Sequence, residues 1–409
     1  MSDAAKAAEA AARASYGRLL AYLAAQWRDV ARAEDALGDA LLAALETWPR
    51  TGVPERPEAW LLTSARRRLV DGARHSAVAA AAEADLTEIL KGRGENTREP
   101  FPDARLALLF VCAHPAIDAG ARTPLMLQTV LGLDAARIAS AFVVAPSTMS
   151  QRLVRVKAKI RDAAIAFEIP EPRELPARLG AVLDAIYAAY GTGWDDVAGA
   201  DPERRGLVDE AIWLGRVVVD LLPAEPEARG LLALMLHCEA RREARRDRDG
   251  HYVPLSEQDP ATWSRPMIDE AEALLADAAR AGTPGRFQLE AAIQSAHAHR
   301  AVTGQSDWEA IVLLYGALLE LAPTVGALVG HAAAVAEARG AEAGALALDA
   351  LDAAMVAQYQ PYWALRAHVT GRLGRTAEAE IAYTRAIGLS EDPAARAFLA
   401  RRAAALRGS

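Results

Sequence analysis

Cysteine is almost absent from this chain: Cys112 and Cys238 are the two in 409 residues. They lie far apart, offer no disulfide framework, and fit a reducing cytoplasm. Aromatic residues make up 6% and β-branched ones are few, whereas the 52% of hydrophobic residues is largely Ala and Leu. That balance predicts an all-helical fold. No stretch approaches the eighteen or so consecutive apolar residues of a membrane span. The N-terminus lacks a charged segment followed by an apolar core, so no signal peptide is expected. Enzyme motifs are missing too: there is no His-Glu-x-x-His, no Gly-rich phosphate loop and no Gly-x-Ser-x-Gly. Cys112-Ala-His114 and His237-Cys238 are isolated pairs, too few for zinc. No catalytic centre, metal or cofactor is expected.

The length allows two to three domains. The net charge of −8 conceals an asymmetry: residues 1–170 hold 22 basic and 20 acidic side chains, residues 171–409 hold 24 and 34. Between Arg122 and Arg161 there are seven basic residues and one acid, a local net of +6. A nucleic-acid module joined to a protein-interaction module fits this pattern. Ile169-Pro-Glu-Pro-Arg-Glu-Leu-Pro176 marks the seam, since its prolines interrupt a helix.

The most informative segment is Asp134–Phe142, a Val-Val-Ala break, then Pro146–Arg161. It reads as two short helices joined by a tight turn, with Ser147 as N-cap of the second. Met149, Leu153, Val156 and Ile160 share one face and are predicted to pack inward. Gln151, Arg152, Arg155 and Lys159 share another, with Ser150, Lys157 and Arg161 beside it. A recognition helix needs that division: an apolar seam, and donors for phosphates and base edges. An ordinary amphipathic hairpin with a solvated basic face accounts for the same residues.

Upstream, a first helical segment runs from about Ser15 to Trp48, with an apolar stripe of Leu37, Leu41, Ala44, Leu45 and Trp48. After a loop at 49–57, the segment Glu58–Arg74 is a helix with Trp60 near its start and four arginines towards its end. Residues 75–100 lack a sustained apolar period and read as a linker.

This order of parts resembles the extracytoplasmic-function (ECF) group of RNA polymerase sigma factors. "AEDALGDALLAALETW" resembles the region 2 helix that docks on the polymerase clamp, and "PEAWLLTSARRRLVDGAR" the helix that melts and reads the minus-ten element. "LGLDAARIASAFVVAPSTMSQRLVRVKAKIRD" resembles region 4, whose recognition helix enters the major groove at the minus-thirty-five element. The likeness covers about residues 15–168, and Arg137 departs from it, standing where the family has an acidic residue. It implies docking through Asp35, Asp39 and Leu42, and melting through Trp60, Arg66, Arg67, Arg68 and Arg74. Upstream contacts fall to Ser147, Thr148, Ser150, Gln151, Arg152, Arg155 and Lys157. Melting needs apolar or aromatic groups to replace lost stacking and cations to hold the strand, which this set supplies. Trp60 as core and the arginines as solvated surface is the competing account.

From about residue 177 a loose repeat begins. Glu-Ala recurs at 270–271, 309–310, 342–343 and 378–379, followed at +7 from each alanine by Ala278, Ala317, Ala350 and Ala386. Such small-residue spacing lets paired helices stack on their neighbours. Residues 362–387 resemble a tetratricopeptide repeat in their Trp, Gly, Ala and Tyr positions. The polar segment 245–265 interrupts this texture, and a loop of that length inside a domain is uncommon unless functional. It resembles the signature loop of sigma factors that carry a helical-repeat extension, which singles out Arg246, Asp249, Gly250, Gln258, Asp259 and Trp263. An elaborate inter-helix connection explains those residues equally. A calcium loop starting at Asp247 fails because Gln258 occupies its twelfth position.

The expectation is therefore all-α: a region 2 bundle at 1–75, a linker at 76–100, a region 4 helix-turn-helix at 101–169 and a tetratricopeptide-like (TPR) solenoid at 170–409. The implied function is transcription initiation, with core RNA polymerase (beta-prime clamp and beta flap) and promoter DNA as partners. The chain is expected to be a cytoplasmic monomer when free, without membrane contact or enzymatic activity. The alternative is a helix-turn-helix regulator with a ligand- or peptide-sensing repeat domain.

Overall fold

A computed structural model describes residues 3–27, 29–75, 104–142, 144–162, 170–194 and 202–406. Among these the regular elements are helices, with a single isolated β-bridge between Arg246 and Tyr252. The expected linker at 76–100 lies outside the described residues. The chain divides into two compact units: residues 1–193 with 207–221, and residues 194–206 with 222–409.

In the first unit, α1 (Asp3–Trp27) and α2 (Val30–Thr51) replace the single helix expected from Ser15 to Trp48. Asp29 makes the break, its carboxylate accepting the Arg32 amide at 2.9 Å as an N-cap. Helix α2 also runs further than expected, through Pro49, and stops at Gly52 (φ 85°), whose amide reaches the Trp48 carbonyl. Its buried seam is Ala33, Ala36, Leu37, Ala40, Ala44 and Trp48. Leu45 was expected in that stripe, yet is 45% exposed. Four alanines at 3–4 spacing, with Leu37 and Trp48, make this seam and allow a close approach.

Helix α3 (Pro57–His75) follows, then α4 (Ala104–Cys112), α5 (Ala119–Thr129), α6 (Ala135–Ala141) and α7 (Pro146–Asp162). Helix α7 begins with Pro146, the residue type best suited to a first helical position, and the Met149 amide bonds the Ala145 carbonyl. Ser147 therefore sits in the first turn and not at the cap. Two helices past the proline seam, α8 (Leu175–Trp194) and α9 (Pro202–Leu221), contribute to this first unit. Buried Arg178 donates to the Phe110 carbonyl at 3.3 Å, and Arg105 pairs with Glu210 while stacking on Trp213 at 4.7 Å.

The second unit contains α10 (Pro226–Glu239), α11 (Arg265–Ala279), α12 (Arg286–Ala298), α13 (Trp308–Leu321), α14 (Val325–Arg339), α15 (Ala341–Asp349), α16 (Gln360–Arg372), α17 (Thr376–Leu389) and α18 (Pro393–Leu406). The Glu-Ala pairs fall on α11, α13, α15 and α17. The alanine seam is buried at Ala271 and Ala278 and again at Ala379 and Ala386. In the two middle helices it is shifted, and Ile311, Leu318, Gly344 and Leu348 are buried instead. Local packing sets that register. A Cβ on Gly330 would collide with the Tyr315 ring, 2.6 Å from its Cζ, so α14 and α13 pack closer than side chains allow elsewhere.

Candidate nucleic-acid interface

Helices α2 and α3 form the first surface. Trp48 is buried, and Trp60 packs against it edge-to-face with centroids 5.5 Å apart and planes at 71°. Trp60 is only half-buried, so its other side lines a groove of about 740 Å³. Arg56, Thr63, Ser64, Arg67 and Arg68 complete the basic and hydroxyl wall, with Glu55 at the rim. Arg67 is exposed, while Arg68 reaches the Asp39 carboxylate of α2 at 2.9 Å. Arg66 points elsewhere, donating to the Tyr22 hydroxyl with its guanidinium 4.9 Å from that ring. The Arg74 side chain lies outside the described residues.

The outer face of α2 carries Asp35 and Asp39, both exposed, beside Leu42 at 61% exposure. Carboxylates flanking protruding aliphatic side chains make a surface suited to a protein partner.

Helix α7 forms the second surface. Met149, Leu153 and Val156 are buried, holding it to α5 and α6, and Ile160 is half-buried. Ser147, Thr148, Ser150, Gln151, Arg155 and Lys159 are exposed and Arg152 is partly so. Val154, 67% exposed among them, adds an apolar group of the kind that contacts a thymine methyl. Lys157 does not share this exposure: it is ion-paired with Glu34 of α2. Arg137 folds back on Asp134, whose carboxylate also accepts the Arg137 amide at 2.9 Å.

The loop candidates of the second unit are held by internal contacts. Arg246 Nη2 donates to both carboxylate oxygens of Asp392, at 3.0 and 2.9 Å. Gly250 takes φ 80° in a tight turn, and buried Gln258 donates to the Val253 carbonyl. Asp259 caps a short 3₁₀ turn, and Trp263 is buried beneath the Arg300 guanidinium, 5.2 Å from its ring. Asp249 is exposed, its amide donating to Asp247. Asp247, Asp249 and His251 bring one ligand atom each within 4.8 Å, but all are exposed and the Asp247 carboxylate already accepts from His251 and Asp249 amides. Burial pushes the Cys112 thiol up to about 12 and raises that of Cys238, which disfavours the thiolate at both. Among the described residues no helix is long and apolar enough to cross a membrane.

Comparison with known proteins fits this geometry. A protein of Rhizobium meliloti (strain 1021), "Uncharacterized protein R00370", is 39% identical over 389 residues, 94% of this chain and 91% of the relative. The chain belongs to that protein's family. Residues 12–77 match Sigma-70 region 2, which takes in α2, α3 and the tryptophan groove. Residues 178–279 match a family of unknown function, DUF6596, a span that includes the 245–265 loop. No solved structure matches the chain. The region 2 match supports an RNA polymerase sigma factor that meets core polymerase and promoter DNA, a class without an enzymatic reaction.

Proposed function

We propose that this chain is an ECF-type sigma factor that docks on core polymerase, opens the minus-ten element with region 2 and reads the minus-thirty-five element with α7. The observation that carries the reading is the match at 12–77 lying over a groove in which a half-exposed Trp60 is flanked by Arg56, Arg67 and Arg68. Trp60 supplies a stacking platform, and the arginines supply cations for a separated strand. Asp35, Asp39 and Leu42 face the beta-prime clamp, and region 4 faces the beta flap. Exposed Gln151 and Arg155 and partly exposed Arg152, with Ser147, Thr148 and Ser150, contact the upstream element.

The tetratricopeptide-like helices of residues 170–409 support this activity from within one cytoplasmic, monomeric chain, and the 245–265 loop is fastened to Arg300 and Asp392 of the second unit. The test is co-purification with core polymerase followed by run-off transcription. Changing Arg56 and Arg67 to Ala should preserve polymerase binding and reduce permanganate-reactive thymines at the minus-ten region. Loss of polymerase binding in that variant would show the docking and melting surfaces to be misplaced. A plain helix-turn-helix regulator would bind DNA without entering polymerase.

A further inference from the structure

Helix α7 carries one side chain that neither its packing nor its charge explains. Met149, Leu153 and Val156 hold the helix to α5 and α6, and all three are buried. At about 100° per residue, Gln151 lies almost opposite that seam, with Ser147 one turn before it and Val154 one turn after it. These three make an exposed ridge without charge. The cations sit on one flank of it. Arg155 and Lys159 are exposed, Arg152 is partly so, and Arg155 Nε reaches back to donate to the Gln151 carbonyl at 3.3 Å. Val154, 67% exposed, is the apolar member of the ridge.

Folding gives no reason for a valine there. Alanine favours a helix more, because a β-branched side chain loses rotamer freedom against the preceding turn. A single surface aliphatic is ordinary by itself. Here its place matters: it stands on the outermost ridge, one turn from an amide and beside a row of cations. A helix lying in the major groove turns the side opposite its packing seam towards the bases and its flank towards a phosphate strand. Uncharged groups then meet base edges while cations meet phosphates. Of the four bases only thymine places a methyl group in that groove. We infer that Val154 is a specificity-determining residue that packs on the 5-methyl group of a thymine in the upstream element. Gln151 is about 4.5 Å away along the axis, close to one base-pair step, and takes the adjoining pair, where an amide suits adenine. The inference rests on the reading that α7 contacts DNA in the polymerase-bound chain.

The test compares thymine with deoxyuridine, which differs by that methyl group alone. Full-length chain bound to core polymerase selects binders from a pool of duplexes with a randomised upstream block. Each thymine of the selected block, on either strand, is then replaced singly by deoxyuridine, which leaves base pairing unchanged. One replacement should weaken binding by the parent about fourfold, the worth of one buried methyl group. Val154→Ala should bind the thymine and deoxyuridine duplexes equally. Its melting temperature should stay near the parent's, and its log–log salt slope should be unaltered, because no phosphate contact is lost. Val154→Ile keeps an aliphatic contact and should restore the discrimination. Gln151→Ala should relax the choice of the adjoining pair and leave the deoxyuridine effect in place. A selected block without thymine, a parent indifferent to every replacement, or a discrimination that survives Val154→Ala would overturn the assignment. If no upstream block is selected, or a chain with both Arg152→Ala and Arg155→Ala selects the same block, α7 is not the reading helix. The assignment then falls together with the reading on which it rests.

Discussion

Arginine has two uses in this chain, and the first unit combines both: beside internally held Arg105 and Arg178 it carries exposed arginines at a groove and on α7. In the first, Arg56 and Arg67 border a groove and Arg155 projects from α7, all exposed. In the second, Arg246 grips Asp392, Arg300 donates to the carbonyls of Leu255, Ser256 and Gln258, and Arg366 and Arg372 reach Asp349 and Glu337. The acidic half is not poor in cations, since it holds 24. Its partly buried guanidiniums fasten loops and helices, where a fork on a carboxylate or carbonyls fixes geometry. Exposed cations beside an aromatic groove instead suit phosphates, whose binding releases counterions. A basic count alone does not distinguish these uses; the location of the partner does.

The harshest challenge to this division is truncation after Pro170. It removes Leu179, Val182, Leu183 and Ile186, all buried in the first unit, and the partners of Phe110 and Arg105. Promoter-dependent transcription should fall to background, and residues 1–170 should lose a cooperative thermal transition. A truncated chain that transcribes more strongly than the parent would make the extension an inhibitor.

Next is Arg152→Ala with Arg155→Ala. Promoter binding should be lost and the salt slope should fall by about one per phosphate contact removed. Neither side chain lies in the buried seam, so the melting temperature should hold. Unchanged binding by the folded double variant removes α7 from the DNA interface.

The tryptophan pair separates structure from function within a single contact. Trp48→Ala empties a fully buried site and should cost about 3–5 kcal/mol of stability. Trp60→Ala should cost less, because one side of it already faces the groove, but should weaken strand opening. Equal stability losses from both would show Trp60 to be core. Arg246→Ala is the counterpart in the second unit, where the Asp392 carboxylate is left largely desolvated. Side-chain exposures of 15% and 24% moderate the loss to about 2 kcal/mol, with DNA affinity unaltered.

Much of this was legible because helical periodicity is local. Met149, Leu153 and Val156 announce the α7 seam at 3–4 spacing, and α3 lies almost where its pattern predicts. The break at Asp29 was also written in the sequence, as an N-cap residue, but the apolar stripes on either side obscured it. In α2 the expected Leu37, Ala44 and Trp48 are buried, whereas Leu45 is exposed and Ala33, Ala36 and Ala40 complete the seam, because small residues carry no strong apolar signal. Likewise, the close approaches at Gly330 to Tyr315 and at Gly344 to Ala336 carry no periodic signal. The Glu34–Lys157 contact joins residues 123 positions apart and has no periodic signature at all. Nor did the segment 245–265 reveal that Arg246 meets Asp392, for the same reason.

The smallest expected effect is a difference in acid sensitivity. His237 and His297 in the second unit are both lowered to about 4, by burial first and then by the nearby Arg241 charge. In the unfolded chain a histidine titrates near ~6.5. Between those values the unfolded state binds more protons, so the second unit loses stability as pH falls from about 6.5 towards 4 and keeps it fully above that window. Each group contributes a slope of at most about 1.4 kcal/mol per pH unit. Native-state hydrogen exchange at a series of pH values would resolve the two units. Amides of α10 and α12 should lose protection in acid, and His237→Asn should flatten the trend. If that variant retained the full slope, the buried imidazoles would be bystanders.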